Sequence, residues 1–527
     1  MGTFSLYYHT VKSLKPSQVI RRLLKKMGIG ASLGITPCSV TDQIQKVETP
    51  ETLDFDPVFL KRFPVEELME NKITILHGSK NFDWKSRWNF EDKSALWNFN
   101  LHYFEYLFPL IKAWKDTGDN RYLDKTVEII NGWIASNSTG TQPAWAPYPT
   151  SLRIVNWISY FSYVSEALPE DFRKKFLRSL HAQYVYLSKR LEKDILGNHY
   201  FENLKSLVIA ALFFNDEPVL KKALKDFEAE CKEEILPDGM HFELSPMYHK
   251  IIFEDVLRVA VALRGGEKPE SEIESYLQPM LDAAFSLEYG LERVPLFNDG
   301  GHNVAKSLDA LITTAKNYFA ITPRFKDKLE SSGFYIFTKT IDEHTWKLIV
   351  DAGQPGPTYI PGHAHCDAMS YELFLDGKPV IVNCGTYAYQ CKERPFFRST
   401  QAHNTVRLNG KEQSQCWGSF RLAKRAKVRV VDCDDDSITI EMIDANGVRC
   451  KRSIVFKTSG LEITDTSEGA ELEVFVHPLL PINIQSDAER TEEKQLYAPE
   501  YGKSEKIACY GYKAKSQITH KIEIQSS

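Results

Sequence analysis

The chain has 527 residues, 43% of them hydrophobic and 26% charged, so it carries enough apolar mass to bury large cores and is not a disordered polymer. Its 65 basic and 70 acidic side chains leave a net charge of −5, which excludes a general nucleic-acid coat. At roughly 100–200 residues per domain, the length predicts about two to four domains.

Residues 1–85 read as an N-terminal cap with loops. Pro16 and Ser17 open a basic helix over 18–27, and a polar, glycine-bearing stretch runs on to Pro50. The first residues lack an uninterrupted apolar run and a small-residue cleavage site. They are not read as a secretory signal, and the expected location is the cytoplasm, with the periplasm as the alternative. The longest strongly apolar run, 207–214, is far short of the roughly 20 residues a membrane span needs. Nine cysteines without a regular spacing imply no disulfide framework.

From about Ser94 to Ala320 the apolar period is helical. Phe172, Phe176, Leu180, Tyr184, Leu187 and Leu191 step by three or four residues onto one face. Comparable patterns cover 101–115, 122–134, 152–167, 204–214, 219–235, 248–263, 276–289 and 305–319. Pro, Gly and Asn clusters separate them, so about nine helices are expected, compatible with a ring of helical hairpins. After Gly333 the period changes to two. Segments 334–337, 346–350, 370–375, 379–382 and 437–442 read as strands, punctuated by Asp376-Gly377, Asn409-Gly410 and Asn446-Gly447. An antiparallel β-sandwich of roughly 200 residues is predicted, its boundary near 322–332.

Four constellations carry chemistry. In Gly362-His363-Ala364-His365-Cys366-Asp367, alternate residues on an extended segment share a side; with His403 they suit a transition metal, most naturally zinc. The alternative is a polar strand end. In Gly197-Asn198-His199-Tyr200, read as a loop leading into an apolar helix, Asn198 and His199 are candidates to grip a carboxylate; the alternative for Asn198 is a helix cap. Pro246 places Tyr248 near a helix N-terminus, whose dipole favours the phenolate a tyrosine base needs. The alternative is a core tyrosine beside Ile251, Ile252 and Val256. Arg421, Arg425, Lys427 and Arg429 share a face if one strand runs through them, and such a face could meet an acidic glycan or be merely solvated. No Walker loop, dinucleotide fingerprint, nucleophile elbow or His-Glu-x-x-His is present, so no nucleotide cofactor is expected.

Taken in order, these segments resemble the heparinase II/III family of polysaccharide lyases. The resemblance runs through residues 97–104, 145–153, 197–204, 238–249, 298–301, 362–377 and 397–406. It implies an α+β multidomain chain: a cap over 1–85, an incomplete α/α toroid over 86–325, and an antiparallel β-sandwich over 326–527. The segment 7–22 resembles the subgroup associated with surface-polysaccharide gene clusters. The implied reaction is β-elimination on a uronic-acid-containing acidic glycan, with C5 proton abstraction and the 4-oxygen leaving. A uronyl C5-epimerase or a non-catalytic glycan-binding protein are the alternatives. The resemblance implies Asn198 and His199 as the carboxylate grip, Tyr248 as base and His363 as second proton-transfer group. It implies substrate contacts from His102, Tyr103, Arg153, Glu202 and Arg398. It also implies at most one structural zinc on His365, Asn383 and His403. Many such proteins have Asp where Asn383 stands, and a neutral amide is a poorer zinc ligand. The expected partner is the acidic polysaccharide, with no nucleic acid and no membrane span.

Overall fold

The computed structural model describes residues 3–27, 44–265 and 271–524. Two short helices, Thr3–Ser13 and Pro16–Lys26, open the chain, and a hairpin of Lys72–Ile75 with Gly78–Asn81 precedes the main helical array. The N-terminal region is therefore more regular than a cap with loops; most of the polar stretch after Met27 lies outside the described residues.

The array runs from Ala95–Leu101 to Leu308–Phe319. Successive helices pack against one another: Leu107–Thr117 on Asn120–Ser136, Pro147–Val164 on Glu170–Ser188, and Gly197–Phe213 on both Glu217–Glu234 and Pro246–Arg264. Their apolar stripes meet in one continuous core that includes Trp133, Trp157, Phe176, Leu204, Phe227 and Val256. Gly197–Phe213 has an almost wholly buried surface: its second half is apolar on nearly every side, and in its first half the buried Asn203 and Lys205 are satisfied by Ser151 and by Glu202 and Asp255.

Two helical expectations are corrected. The segment 101–115 is not one helix. Phe104 takes a left-handed φ of 68°, which ends Ala95–Leu101 and lets a second helix start at Leu107 with Pro109 in its first turn. Asn198 and His199 are not on a loop. Leu196 carries the reversal at φ 69°, so the helix begins at Gly197 and both residues lie in its first turn.

Beyond Phe319 the described residues are dominated by antiparallel strands. One sheet orders Lys328–Leu329, Phe334–Ile341, His344–Asp351, Tyr371–Leu375 and Lys378–Ile381. A second has six strands between Lys427–Cys433 and Asn483–Ser486, and a third includes Val406–Leu408, Leu472–Val476, Arg490–Glu500 and Lys503–Ala514. Side chains from all three, among them Leu348, Val474 and Ile440, share one core. Asp376 and Gly377, both at positive φ, make the tight hairpin between Tyr371–Leu375 and Lys378–Ile381. The basic run does not form one face. Arg421–Leu422 pairs with Cys416–Trp417, Lys427–Cys433 starts a different sheet, and Arg425 between them donates to the carbonyls of Pro357 and Thr358. Residues 362–369 form a loop rather than a strand.

The helical array is fastened to the first sheet by a separate apolar cluster. Met240, Leu244, Leu287 and Phe297 from the helical side pack on Phe334, Ile336, Ile349 and Phe374. This contact fixes the loop 362–369 over the N-termini of two helices. No disulfide is formed among the described residues, and no helix among them is long and apolar enough to cross a membrane.

Candidate active site

The site grows from a turn between the last two helices of the array, Glu274–Glu288 and Leu308–Phe319. Asn298 takes a left-handed φ of 54°, and its side chain binds both ways: Nδ2 donates to the Leu244 carbonyl, while Oδ1 accepts from the His365 amide. The next residue, Asp299, is thereby buried under the loop carrying His363 and His365. Its carboxylate accepts from His363 Nδ1 at 2.8 Å, His365 Nε2 at 2.8 Å, Arg394 Nη2 at 2.8 Å and Thr386 Oγ1 at 3.2 Å. Burial alone would raise the Asp299 pKa. Arg394 and the two histidines outweigh it and hold the carboxyl well below its ordinary value.

With Nδ1 of His363 bonded to Asp299, its Nε2 faces the other way, 3.9 Å from Glu243 Oε2. The His363 ring lies on Tyr248, with ring centres 3.9 Å apart. Tyr248 sits in the first turn of Pro246–Arg264, where Ser245 caps its amide. Its hydroxyl meets that of Tyr389 at 2.5 Å, which in turn meets Tyr501 at 2.7 Å. The helix dipole does not produce a phenolate here, contrary to expectation. Burial, followed by the neighbouring Tyr501 and Asp299, drives the Tyr248 pKa well above its ordinary value, so the resting group is a neutral phenol.

The opposite wall is the N-terminus of Gly197–Phe213. Gly197 is pressed between Ile360 and Glu243; a Cβ there would lie 2.8 Å from one and 2.9 Å from the other. Glu243 lies under this helix end. Burial raises its pKa to about 7, while His363 and the Asn198 amide oppose the rise. His199 bonds Glu192 at 3.1 Å, and its ring lies 4.5 Å from Tyr148. Burial would lower the His199 pKa, but Glu192 outweighs it and raises it. Tyr103 and Glu202 line an adjoining cavity together with Tyr148, Arg62, Glu254 and Lys306.

Three expected substrate contacts are corrected. His102 and Arg153 are buried deep in the helical array: Trp133 donates to His102 Nδ1, and Arg153 binds Gln183 and the His102 carbonyl while stacking on Trp133. Arg398 is equally buried and spends its guanidinium on the carbonyls of Ala364, Gly418 and Arg421. All three hold the scaffold rather than a ligand. Arg398 acts closest to the site, because Ala364 separates His363 from His365.

His365, Asp367 and His403 offer three metal-ligating atoms within 4.8 Å of one another. His365 Nδ1 and His403 Nε2 face each other at 3.2 Å. Two nitrogens on a tetrahedral zinc, at about 2.0–2.1 Å each, lie about 3.3 Å apart, so the spacing fits. Burial lowers the His365 pKa to about 4 and also lowers His403, which keeps both imidazoles neutral as metal binding requires. Asp299 behind His365 completes a carboxylate–histidine pair of the kind that orients metal ligands. Asn383 Oδ1 accepts from the Asn404 amide at 3.2 Å, and Asp367 offers a carboxylate to the same group of histidines.

The sequence reading missed Asp299, Arg394, Glu243, Tyr389 and Tyr501 as site residues. Asp299 stood in the Asn298-Asp299-Gly300-Gly301 run, noted there only as a break between helices. Tyr389 and Tyr501 lie in turns and Arg394 opens the short helix Arg394–Phe397; all three are far in sequence from Tyr248 and Asp299, and no local spacing marks them.

Residues 35–326 match the model of the heparinase II/III N-terminus, and residues 322–499 match that of the heparinase II/III-like C-terminal domain. The heparin-sulfate lyase of Pedobacter heparinus is 27% identical over 365 residues, 63% of this chain and 54% of that protein. The heparin-sulfate lyase of Bacteroides stercoris is 22% identical over 496 residues, 82% of this chain and 70% of that protein. The chain thus spans about half the length of the Pedobacter relative. A crystal structure of heparinase III superposes with a TM-score of 0.69 at 14% identity, over 98% of this chain and 94% of that one. A heparan sulfate lyase structure from Pedobacter heparinus gives 0.54 at 20% identity, over 99% and 88%.

Proposed function

The chain belongs to the heparinase II/III-like family, and on that premise we propose that it is a polysaccharide lyase cleaving a uronic-acid-containing acidic glycan by β-elimination. In this reading the helical array is an incomplete α/α toroid whose cleft is closed by the β-sandwich. The observation that carries the proposal is the Asp299–His363–Tyr248 arrangement facing a helix N-terminus.

Elimination needs a carboxylate held where charge accumulates, a base for the C5 proton and an acid for the departing 4-oxygen. The first turn of Gly197–Phe213 supplies the grip: Asn198, His199 and the positive helix end stabilise the uronate as C5–H weakens. Asp299 holds the proton on His363 Nδ1, which leaves Nε2 with a lone pair for the C5 proton. Tyr248, kept neutral by burial, delivers a proton to the leaving oxygen. Tyr389 and Tyr501 connect its hydroxyl to further exchangeable protons. The base therefore passes from Tyr248, where the sequence reading put it, to His363. Tyr103 contacts the sugar next to the cleaved bond from the adjoining cavity, whereas Glu202, expected as a further contact, is buried and pairs with Lys205 at 2.7 Å, holding the cavity wall.

Zinc would be held by His365, Asp367 and His403, and when bound it would fix the loop that carries His363. The proton transfers belong to His363 and Tyr248 in either case.

The test is a panel of uronic-acid polysaccharides read by the ultraviolet absorbance of the C4–C5 unsaturated uronate. Absorbance that rises with wild-type chain and not with Tyr248→Phe supports the proposal. Absence of absorbance across the panel, with C5 inversion and intact chains, assigns the site to an epimerase instead.

A further inference from the structure

The two N-terminal helices are amphipathic in the inverted sense. In Pro16–Lys26 the face turned to the protein is polar: Gln18 is buried and donates to the Ile195 carbonyl, Arg22 donates to the Asp194 carbonyl, and Lys25 pairs with Asp194 at 2.9 Å. These residues follow i, i+4, i+7. The apolar stripe of the same helix, Ile20 and Leu23 with Met27 at its end, points outward. Thr3–Ser13 repeats the pattern. Tyr7 packs edge-on against Trp417, and Thr10 accepts from the Trp417 indole, while Phe4, Tyr8 and Val11 point outward at i, i+4, i+7. The six outward side chains are between 50 and 83% exposed. A soluble surface helix does the opposite, burying its apolar stripe.

Charge names the occupant. The first 41 residues contain Lys12, Lys15, Arg21, Arg22, Lys25 and Lys26 and no Asp or Glu, although the chain as a whole carries −5. Lys12 and Lys26 are exposed beside the apolar stripes. Cationic helices with an outward row of Phe, Tyr, Leu, Ile and Met are suited to lie in the headgroup region of a bilayer, where the apolar stripe is buried and the lysines meet anionic lipid. A second copy of this chain would bring the same excess of positive charge to the contact.

We propose that residues 3–27 form a docking surface for an anionic phospholipid membrane, which the protein touches without spanning. The docked arm is tied to both halves of the cleft, through Ile195 just ahead of the helix end bearing Asn198 and through Trp417 on the strand side. Membrane contact would therefore present the cleft at a fixed height above the lipid surface. The inference rests on the arm alone and stands independently of the proposed reaction.

The experiment is co-sedimentation of the full chain with vesicles of phosphatidylcholine, alone or mixed with phosphatidylglycerol, at low and high salt. The expected result is binding to the anionic vesicles, weakened by salt. In the double variant Ile20→Glu, Leu23→Glu binding should fall by about tenfold or more, with unchanged melting because both side chains are exposed. Equal binding of wild type and variant, or no binding to anionic vesicles, overturns the proposal. Self-association of the wild type in equilibrium sedimentation, lost in the same variant, would give the face to a second copy and overturn it equally.

Discussion

Asp299 Oδ2 and His363 Nδ1 lie 2.8 Å apart, although one belongs to a turn between the last two helices of the array and the other to a loop of the strand region. This bond decides which nitrogen of His363 is free, and it crosses the seam between the two parts of the chain. Asp299→Asn should therefore act twice. The amide leaves Arg394 buried without its counter-charge, a loss of about 3–5 kcal/mol in chemical denaturation. It also frees the His363 tautomer, lowering kcat by about 10²–10⁴. A stable variant with unchanged kcat would demote Asp299 to scaffold.

Tyr248→Phe keeps the ring against His363 and Met247 and removes one buried hydroxyl whose partner Tyr389 still bonds Tyr501. Stability should change by only about 1 kcal/mol, while turnover falls by about 10²–10⁴. Thermal melting and the unsaturated-product assay read the two effects separately. Retained turnover would remove Tyr248 from the chemistry, and loss of cooperative folding would mark it as a core tyrosine.

Glu243 gives a pH dependence with a defined sign. Its ordinary value of 4.5 is raised to about 7 in the folded chain, so its contribution to stability is present in full below about pH 4.5 and is lost as pH rises through about 7. The effect is on the order of 3 kcal/mol. Above about pH 7 the new negative charge lies beneath Asn198 and repels a uronate. KM of the wild type should rise there, and Glu243→Gln should abolish that rise and flatten the melting profile over the same range. A wild-type KM that stays level through pH 7 would contradict the placement of Glu243 against the carboxylate site.

A fragment ending at Ala320 should remain largely helical and be inert. It exposes Met240, Leu244, Leu287 and Phe297, which the first sheet covers, and it lacks His363. Circular dichroism and activity together check this; turnover by the fragment would refute a site built across the seam.

If zinc occupies the His365–Asp367–His403 group, chelation should lower the melting temperature by several degrees, since a ligand bound only to the folded state stabilises it. Activity should fall only as the fold loosens. Activity lost at unchanged melting temperature would contradict a structural role.

Much of the fold was legible because period is a local property: Phe172 to Leu191 step at three or four residues, and Asp376-Gly377 announces a hairpin. Asn198 and Tyr248 sit in the first turns of helices, where a local motif marks the element start, whereas His363 lies on a loop. What escaped was non-local. Nothing near Arg394 shows that it meets Asp299 across 95 residues. His102 and Arg153 lie in recognisable segments, yet only packing reveals that they bind each other and Trp133. The helix start at Gly197 was missed because it depends on a left-handed Leu196, which no propensity favours.

The most direct test is product analysis of a uronic-acid polysaccharide digested in oxygen-18 water. Elimination predicts fragments with an unsaturated uronate at the new non-reducing end and no oxygen-18 at the cut, absent with Tyr248→Phe. Oxygen-18 in saturated fragments would show hydrolysis, and unbroken chains with inverted C5 would show epimerisation; either result would contradict the elimination assigned to His363 and Tyr248.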